Sequence, residues 1–64
     1  MTHAEAFLAE VEAFLKRSKM KPTTFSKAAV GDPNFVRDLR AGRMPNLGLV
    51  DRVHEFIRLQ EASV

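Results

Sequence analysis

The sequence predicts a compact all-α fold of four helices. Three observations carry this. Apolar residues recur at helical spacing near both ends of the chain. Residues that stop and start helices punctuate its middle. No stretch alternates with period two for long enough to make a strand. At 64 residues the chain is expected to form one domain. A domain this small buries only about 60% of its unfolded surface, so its stability is marginal.

The first helix is expected over about residues 3–18. Thr2 and Glu5 have the spacing of a T-x-x-E capping box. Phe7, Leu8, Val11, Phe14 and Leu15 then form an amphipathic stripe. Acids lie toward its start and Lys16, Arg17 and Lys19 toward its end, which complements the helix dipole. Glu12 and Lys16 are spaced for an i,i+4 ion pair. The acidic face argues against a membrane-surface helix, so the stripe is core.

Pro22 breaks the chain near Met20-Lys21, because a residue preceding proline resists the α region. A second helix is expected over residues 22–30. Lys21 is a poor N-cap, which favours Thr23 as the cap. Phe25, Ala28 and Ala29 give this helix an apolar side that another helix can approach closely. Val30-Gly31-Asp32 is the turn to a third helix, expected over residues 33–41. Asp32 suits its N-cap, Pro33 its first position and Gly42 its C′ position. Val36 and Leu39 face inward; Asn34, Arg37, Asp38 and Arg40 face outward. A helix this short and polar is not stable alone. It has to be held by the rest of the chain and has to present its polar face to something.

The last helix is expected over residues 46–61. Asn46 is its N-cap, with Pro45 just outside. Leu47, Leu49, Val50, Val53, Phe56 and Ile57 form a broad apolar stripe, wider than one packing face needs. Gly48 weakens the first turn by up to about 1 kcal/mol relative to Ala. Glu55 and Arg58 are placed to pair at i,i+3. The tail Glu61-Ala62-Ser63-Val64 is expected to fray, leaving at most a short fifth element.

Net charge is only +2 but is unevenly spread. Residues 1–15 hold Glu5, Glu10 and Glu12 with no Lys or Arg. Lys16, Arg17, Lys19, Lys21, Lys27, Arg37, Arg40 and Arg43 then face only Asp32 and Asp38. Beyond residue 43 acids again slightly outnumber bases. Basic charge gathered around a capped polar helix is the footprint of a polyanion binder. With no Cys, disulfides and thiolate metal sites are excluded. His3 and His54 are far apart and lack a local acidic cluster, so they read as exposed helix-surface residues, with no metal or other cofactor implied. No nucleophile–base pair or phosphate loop points to an enzyme. No apolar run approaches the roughly 18 residues that span a bilayer. The acidic N-terminus is unlike a signal peptide, so a cytoplasmic or nucleoid-associated protein is expected.

A short helix with small residues, a tight turn and a short polar helix form the layout of a helix-turn-helix, whose second helix enters the DNA major groove. Here the sequence resembles the phage repressor and Cro-like (Xre-type) DNA-binding domains, which include the lambda-repressor-like fold. The family pattern lies on the chain without a gap from Met20 to Ile57. Met20 and Phe25 take its two leucine positions in the first motif helix, and Ser26 the alanine that follows. Val30-Gly31 takes the Gly-Val turn, Asp32 the serine, Val36 and Leu39 the two isoleucines and Gly42 the closing glycine. Pro45-Asn46-Leu47 takes Pro-Ser-Leu; Val50, Val53 and Ile57 take the apolar positions beyond it.

The departures are specific. The turn glycine comes one residue late, so the turn is expected to be reshaped and the recognition helix tilted. Pro22 replaces a Gln that often touches phosphate in this family. An Arg–Glu pair common in the family falls here on Leu15 and Arg40, so no charge is stranded and Arg40 is expected to reach outward. Many members have a fifth helix used in dimerisation, for which little chain remains.

The resemblance implies a sequence-specific regulator of transcription that binds double-stranded DNA, with base edges read from Pro33, Asn34, Phe35, Arg37 and Asp38. Asn34 suits adenine and Arg37 suits guanine, each good pair giving roughly 1–3 kcal/mol of discrimination. Pro33 offers only apolar contact. Asp38 either accepts from cytosine N4 or orients Arg37, the latter being the plainer role. Phe35 either meets a thymine methyl or packs in the core. Phosphate contacts are expected from Lys21, Thr23, Thr24, Lys27, Arg40, Arg43 and Asn46. Leu49 and Phe56, seven apart, either form a homodimer seam on the last helix or cover the first helix. The alternative function is a helical protein–protein module, of antitoxin or adaptor type, with the same fold.

Overall fold

The computed structural model describes residues 3–62 as four helices: α1 (His3–Ser18), α2 (Pro22–Val30), α3 (Phe35–Arg40) and α4 (Leu47–Ala62). No strand occurs among the described residues, and none of the helices is long and apolar enough to cross a membrane. Thr2 of the expected capping box, and Ser63 and Val64 of the expected frayed tail, lie outside the described residues. Glu61 and Ala62 are helical, and Glu61 meets Arg17 of α1 at 3.4 Å.

The core forms where the apolar stripes of all four helices meet. Phe7, Val11, Phe14 and Leu15 come from α1; Phe25, Ala29 and Val30 from α2; Phe35, Val36 and Leu39 from α3; and Val53 from α4. Phe25 is the hub, fully buried, with its ring 5.6 Å from that of Phe14 and 5.5 Å from that of Phe56. Such tilted and edge-on arrangements suit the ring quadrupoles. Burying a ring of this size contributes roughly 1.5–3 kcal/mol. Leu8, Met20, Leu49, Val50, Phe56 and Ile57 are half-buried against this cluster.

Two expected core positions are not core. Ala28 is exposed, because Phe25 and Ala29 already define the buried side of the short helix α2. Leu47 is 81% exposed, since it opens α4 beyond the edge of the core and Val50 and Val53 occupy the packed face.

The helix ends follow local chemistry. α1 closes with Lys19 at φ +57°, a left-handed conformation uncommon for a residue with a Cβ. The Ser18 hydroxyl accepts the Met20 amide at this corner. α2 begins at Pro22 with Lys21 extended at the cap position and offering no side-chain hydrogen bond, so Thr23 lies inside the helix and is not the cap. Gly31 closes α2 at φ +78° and its N–H donates to the Lys27 carbonyl at 2.9 Å. Val30 is therefore the last helical residue and the left-handed one follows it.

α3 is shorter than expected. Pro33 and Asn34 form a turn and the helix runs only over Phe35–Arg40. Asn34 therefore takes the cap position and makes no side-chain cap hydrogen bond, so Asp32 is not the N-cap; it closes the preceding turn, its Oδ1 accepting the Asn34 N–H at 2.9 Å and its carbonyl the Phe35 N–H. At the other end the Gly42 N–H donates to the Leu39 carbonyl and the Arg43 N–H to the Asp38 carbonyl, both at 3.0 Å. This is a Schellman motif, with Gly42 at φ +98°. Asn46 caps α4 as expected, its Oδ1 accepting the Leu49 N–H at 2.8 Å. A Cβ at residue 48 would stand 3.2 Å from that oxygen, so Gly48 leaves room for the cap.

Candidate nucleic-acid interface

The candidate interface is built from α2, the turn over residues 31–34, α3 and the link to α4. α3 rests on three apolar side chains, Phe35, Val36 and Leu39, all buried. Phe35 packs edge-on against Phe7, with centroids 6.4 Å apart. Of its two expected roles the structure shows core packing: as the first residue of α3 it is buried against α1, which removes it from the base-reading set.

Three polar contacts fix the helix beyond this apolar seat. The Ser26 hydroxyl, fully buried, donates to the Pro22 carbonyl at 2.7 Å and accepts the Val36 N–H at 3.0 Å. That amide belongs to the first turn of α3, where no intrahelical acceptor exists. At the far end of α3 the Arg40 guanidinium makes two bonds to the Glu12 carboxylate, Nε to Oε2 and Nη2 to Oε1, each 2.8 Å. Arg40 was expected to reach outward, and Glu12 to pair with Lys16; instead they join α3 to α1. The bonds to Arg40 hold the Glu12 carboxyl below its ordinary range, and those to Glu12 raise the Arg40 guanidinium further above neutral pH.

Asn34 and Arg37 remain on the outer face. Both are exposed, and neither side chain has a hydrogen-bond or ion-pair partner among the described residues. Asp38, the nearest acid on α3, faces Arg43 at 3.7 Å rather than orienting Arg37. Asp32 is engaged with the Asn34 backbone. Pro33 is exposed in the turn.

Lys21, Thr23, Thr24 and Lys27 are exposed on and beside α2, and Arg43 is exposed in the link to α4. Asn46 uses its side-chain oxygen as a cap, which leaves its amide N–H groups to donate outward. Of the expected phosphate ligands, Arg40 alone is tied up by a carboxylate at short range.

Leu49 and Phe56 face the core. Phe56 lies edge-on to Phe14 and Phe25, at 6.3 and 5.5 Å, and both residues are half-buried within one chain. Both contribute to the cover of the core within one chain, the role expected as the alternative to a homodimer seam. Among the described residues the exposed large apolar side chains are Met44 and Leu47, in the link and at the start of α4, and Leu59 near the end of α4.

His54 is exposed, as expected, but not idle. Its Nε2 lies 2.8 Å from Oε2 of Glu10, and its ring meets Phe7 edge-on. No group of three or more potential metal ligands occurs among the described residues. Sequence reasoning missed Ser26, Glu12 and the Glu10–His54 pair. The only signal for Ser26 was a small polar residue between the buried Phe25 and Ala29.

In comparisons with known proteins, no family model, no curated protein and no solved structure matches this chain.

Proposed function

We propose that the chain is a sequence-specific regulator of transcription that binds double-stranded DNA, in the manner of the repressor and Cro-like domains it resembles. The observation that carries this reading is Arg37. It stands on the outer face of α3 beside Asn34, and both carboxylates nearest in sequence are committed elsewhere. A guanidinium with five free donors and a neighbouring amide match the acceptor and donor edges of guanine and adenine. With α3 in the major groove, Arg37 and Asn34 read bases and Pro33 offers apolar contact. Asp38 is held by Arg43 and keeps an oxygen for a cytosine amino group. Lys21, Thr23, Thr24, Lys27, Arg43 and Asn46 flank α3 on the elements before and after it, where they can bind phosphates. Phosphate contacts set affinity and orientation, and the α3 side chains set the sequence.

The test begins with selection of bound sites from a random duplex pool at physiological salt. Arg37→Ala is then compared with wild type on the selected site. Loss of one bidentate base contact, roughly 1–3 kcal/mol, weakens binding by about 5- to 150-fold and relaxes one position of the site. The melting temperature stays unchanged, because the exposed side chain makes no hydrogen bond or ion pair among the described residues. Equal affinity and selectivity in the variant would overturn the reading.

A second reading, a helical protein–protein module, draws on Met44 and Leu47, which are 65% and 81% exposed. It expects no enriched duplex, and loss of partner binding with Leu47→Asp but not with Arg37→Ala.

A further inference from the structure

We infer that Ser26 is a positioning residue for sequence discrimination: its hydroxyl sets the pose of α3, and through it the aim of Asn34 and Arg37. The inference rests on the DNA-binding reading above.

Among the described residues Ser26 is the one polar side chain buried with the apolar residues of the core. Its two hydrogen bonds join two helices: one to the Pro22 carbonyl, in the first turn of α2, and one from the Val36 amide, in the first turn of α3. At 2.7 and 3.0 Å both lie in the ordinary hydrogen-bond range, and the oxygen uses its donor and one acceptor site. An alanine would fill nearly the same volume, and the apolar seat of α3 would survive.

The hydroxyl provides what apolar packing does not. Contact between Val36, Leu39 and the core is non-directional and tolerates a small rotation or slide of a six-residue helix. A hydrogen bond to the Val36 amide is directional and fixes the backbone two residues from Asn34 and one from Arg37. The other end of α3 is held by Glu12 and Arg40, an ion pair that is half-exposed and therefore soft to salt. Ser26 is the buried anchor of the pair. Two side chains that read bases bidentately need their backbone held within about 0.5 Å.

The experiment measures two properties of wild type, Ser26→Ala and Ser26→Cys. Ser26→Cys keeps the shape of the side chain at slightly larger volume and replaces the oxygen with a poor acceptor. A core variant on another helix, Val53→Ala, serves as a stability control. All are studied at a temperature where melting curves show them folded. The first property is hydrogen exchange of the Val36 amide in the free protein. It accelerates in Ser26→Ala, and less so in Ser26→Cys, relative to the Leu39 amide; Val53→Ala moves both alike. The second is the ratio of affinities for the selected duplex and a scrambled one. That ratio falls about five- to tenfold in Ser26→Ala, the size expected for one lost hydrogen bond, while affinity for scrambled duplex stays within about twofold.

An unchanged ratio in Ser26→Ala, with wild type discriminating, would overturn the inference and leave the DNA reading standing. A ratio that falls equally in Val53→Ala would reduce Ser26 to a stabilising residue. If wild type does not discriminate at all, the DNA reading fails, and the specificity role of Ser26 with it. Unaltered Val36 exchange would defeat the positioning role without reference to DNA. Were Ser26→Ala to unfold, the same comparisons on Ser26→Cys decide.

Discussion

The two long helices and the two short ones are held in different ways. α1 and α4, sixteen residues each, present continuous apolar stripes and meet through side-chain pairs on their outer surface: Glu10 with His54 and Arg17 with Glu61. α3 has six residues and no such reserve. It is preceded by a turn that Asp32 closes, ended by Gly42, pinned by Ser26 and tied by Arg40. The difference teaches where stability and function separate. Changes in the long-helix core move the whole folding equilibrium. Changes at the ends of α3 move one small helix, whose outer face carries Asn34 and Arg37.

The largest effect tests the shared core. Phe25→Ala removes the ring between Phe14 and Phe56 and is expected to cost about 3–5 kcal/mol, enough to leave so small a domain largely unfolded. Thermal melting followed by circular dichroism measures it. A shift of only a few degrees would mean that Phe25 is not the point where α1, α2 and α4 meet.

Next comes the closing glycine of α3. A Cβ at residue 42 would meet nothing within 4 Å, so Gly42→Ala reports backbone conformation alone. At φ +98° it is expected to cost about 1–2 kcal/mol and to loosen α3 before the rest. Amide exchange of Arg43, whose N–H closes the Schellman motif, should accelerate more than that of Val53. Uniform acceleration would show α3 and the long helices opening as one unit.

The smallest effect belongs to the Glu12–Arg40 tie. The Glu12 carboxyl is held below its ordinary value of 4.5 by Arg40. Its contribution is therefore present above that value and lost as pH falls through the lower folded-state value. Both side chains are about half exposed, so the effect is modest and screened by salt. Wild type should exceed Glu12→Gln in urea midpoint at pH 7, and the gap should close on acidification or in high salt. A gap that persists in acid would assign the difference to something other than this ion pair.

Much of the fold was legible because its signals are local. Asn46, Gly31, Gly42 and the Glu55–Arg58 pair act within one or two turns of their own positions, and each forms as its neighbours in sequence imply. The four stripes followed from helical period. Errors arose at the margins. Pro33-Asn34 spend the expected first turn of α3 on a bend, and Leu47 continues a pattern past the edge of what α4 buries. In the candidate site, the exposure of Asn34 and Arg37 was readable from their spacing against Val36 and Leu39. The inward turn of Phe35 was not, because a ring at the start of a short helix can point either way until α1 supplies Phe7.

By itself, then, the sequence determined the helices, most of their ends, and the gathering of basic charge around one short polar helix. Those properties depend on backbone preference and on residues within a few positions of each other. Only the tertiary structure decided what α3 stands on and which of its charges remain unpaired. Ser26 meets Val36 across ten positions, Arg40 meets Glu12 across 28 and His54 meets Glu10 across 44. At those separations no periodicity selects a partner. A guanidinium becomes a tie, as in Arg40, or stays unpaired, as in Arg37, according to whether packing brings a carboxylate beside it.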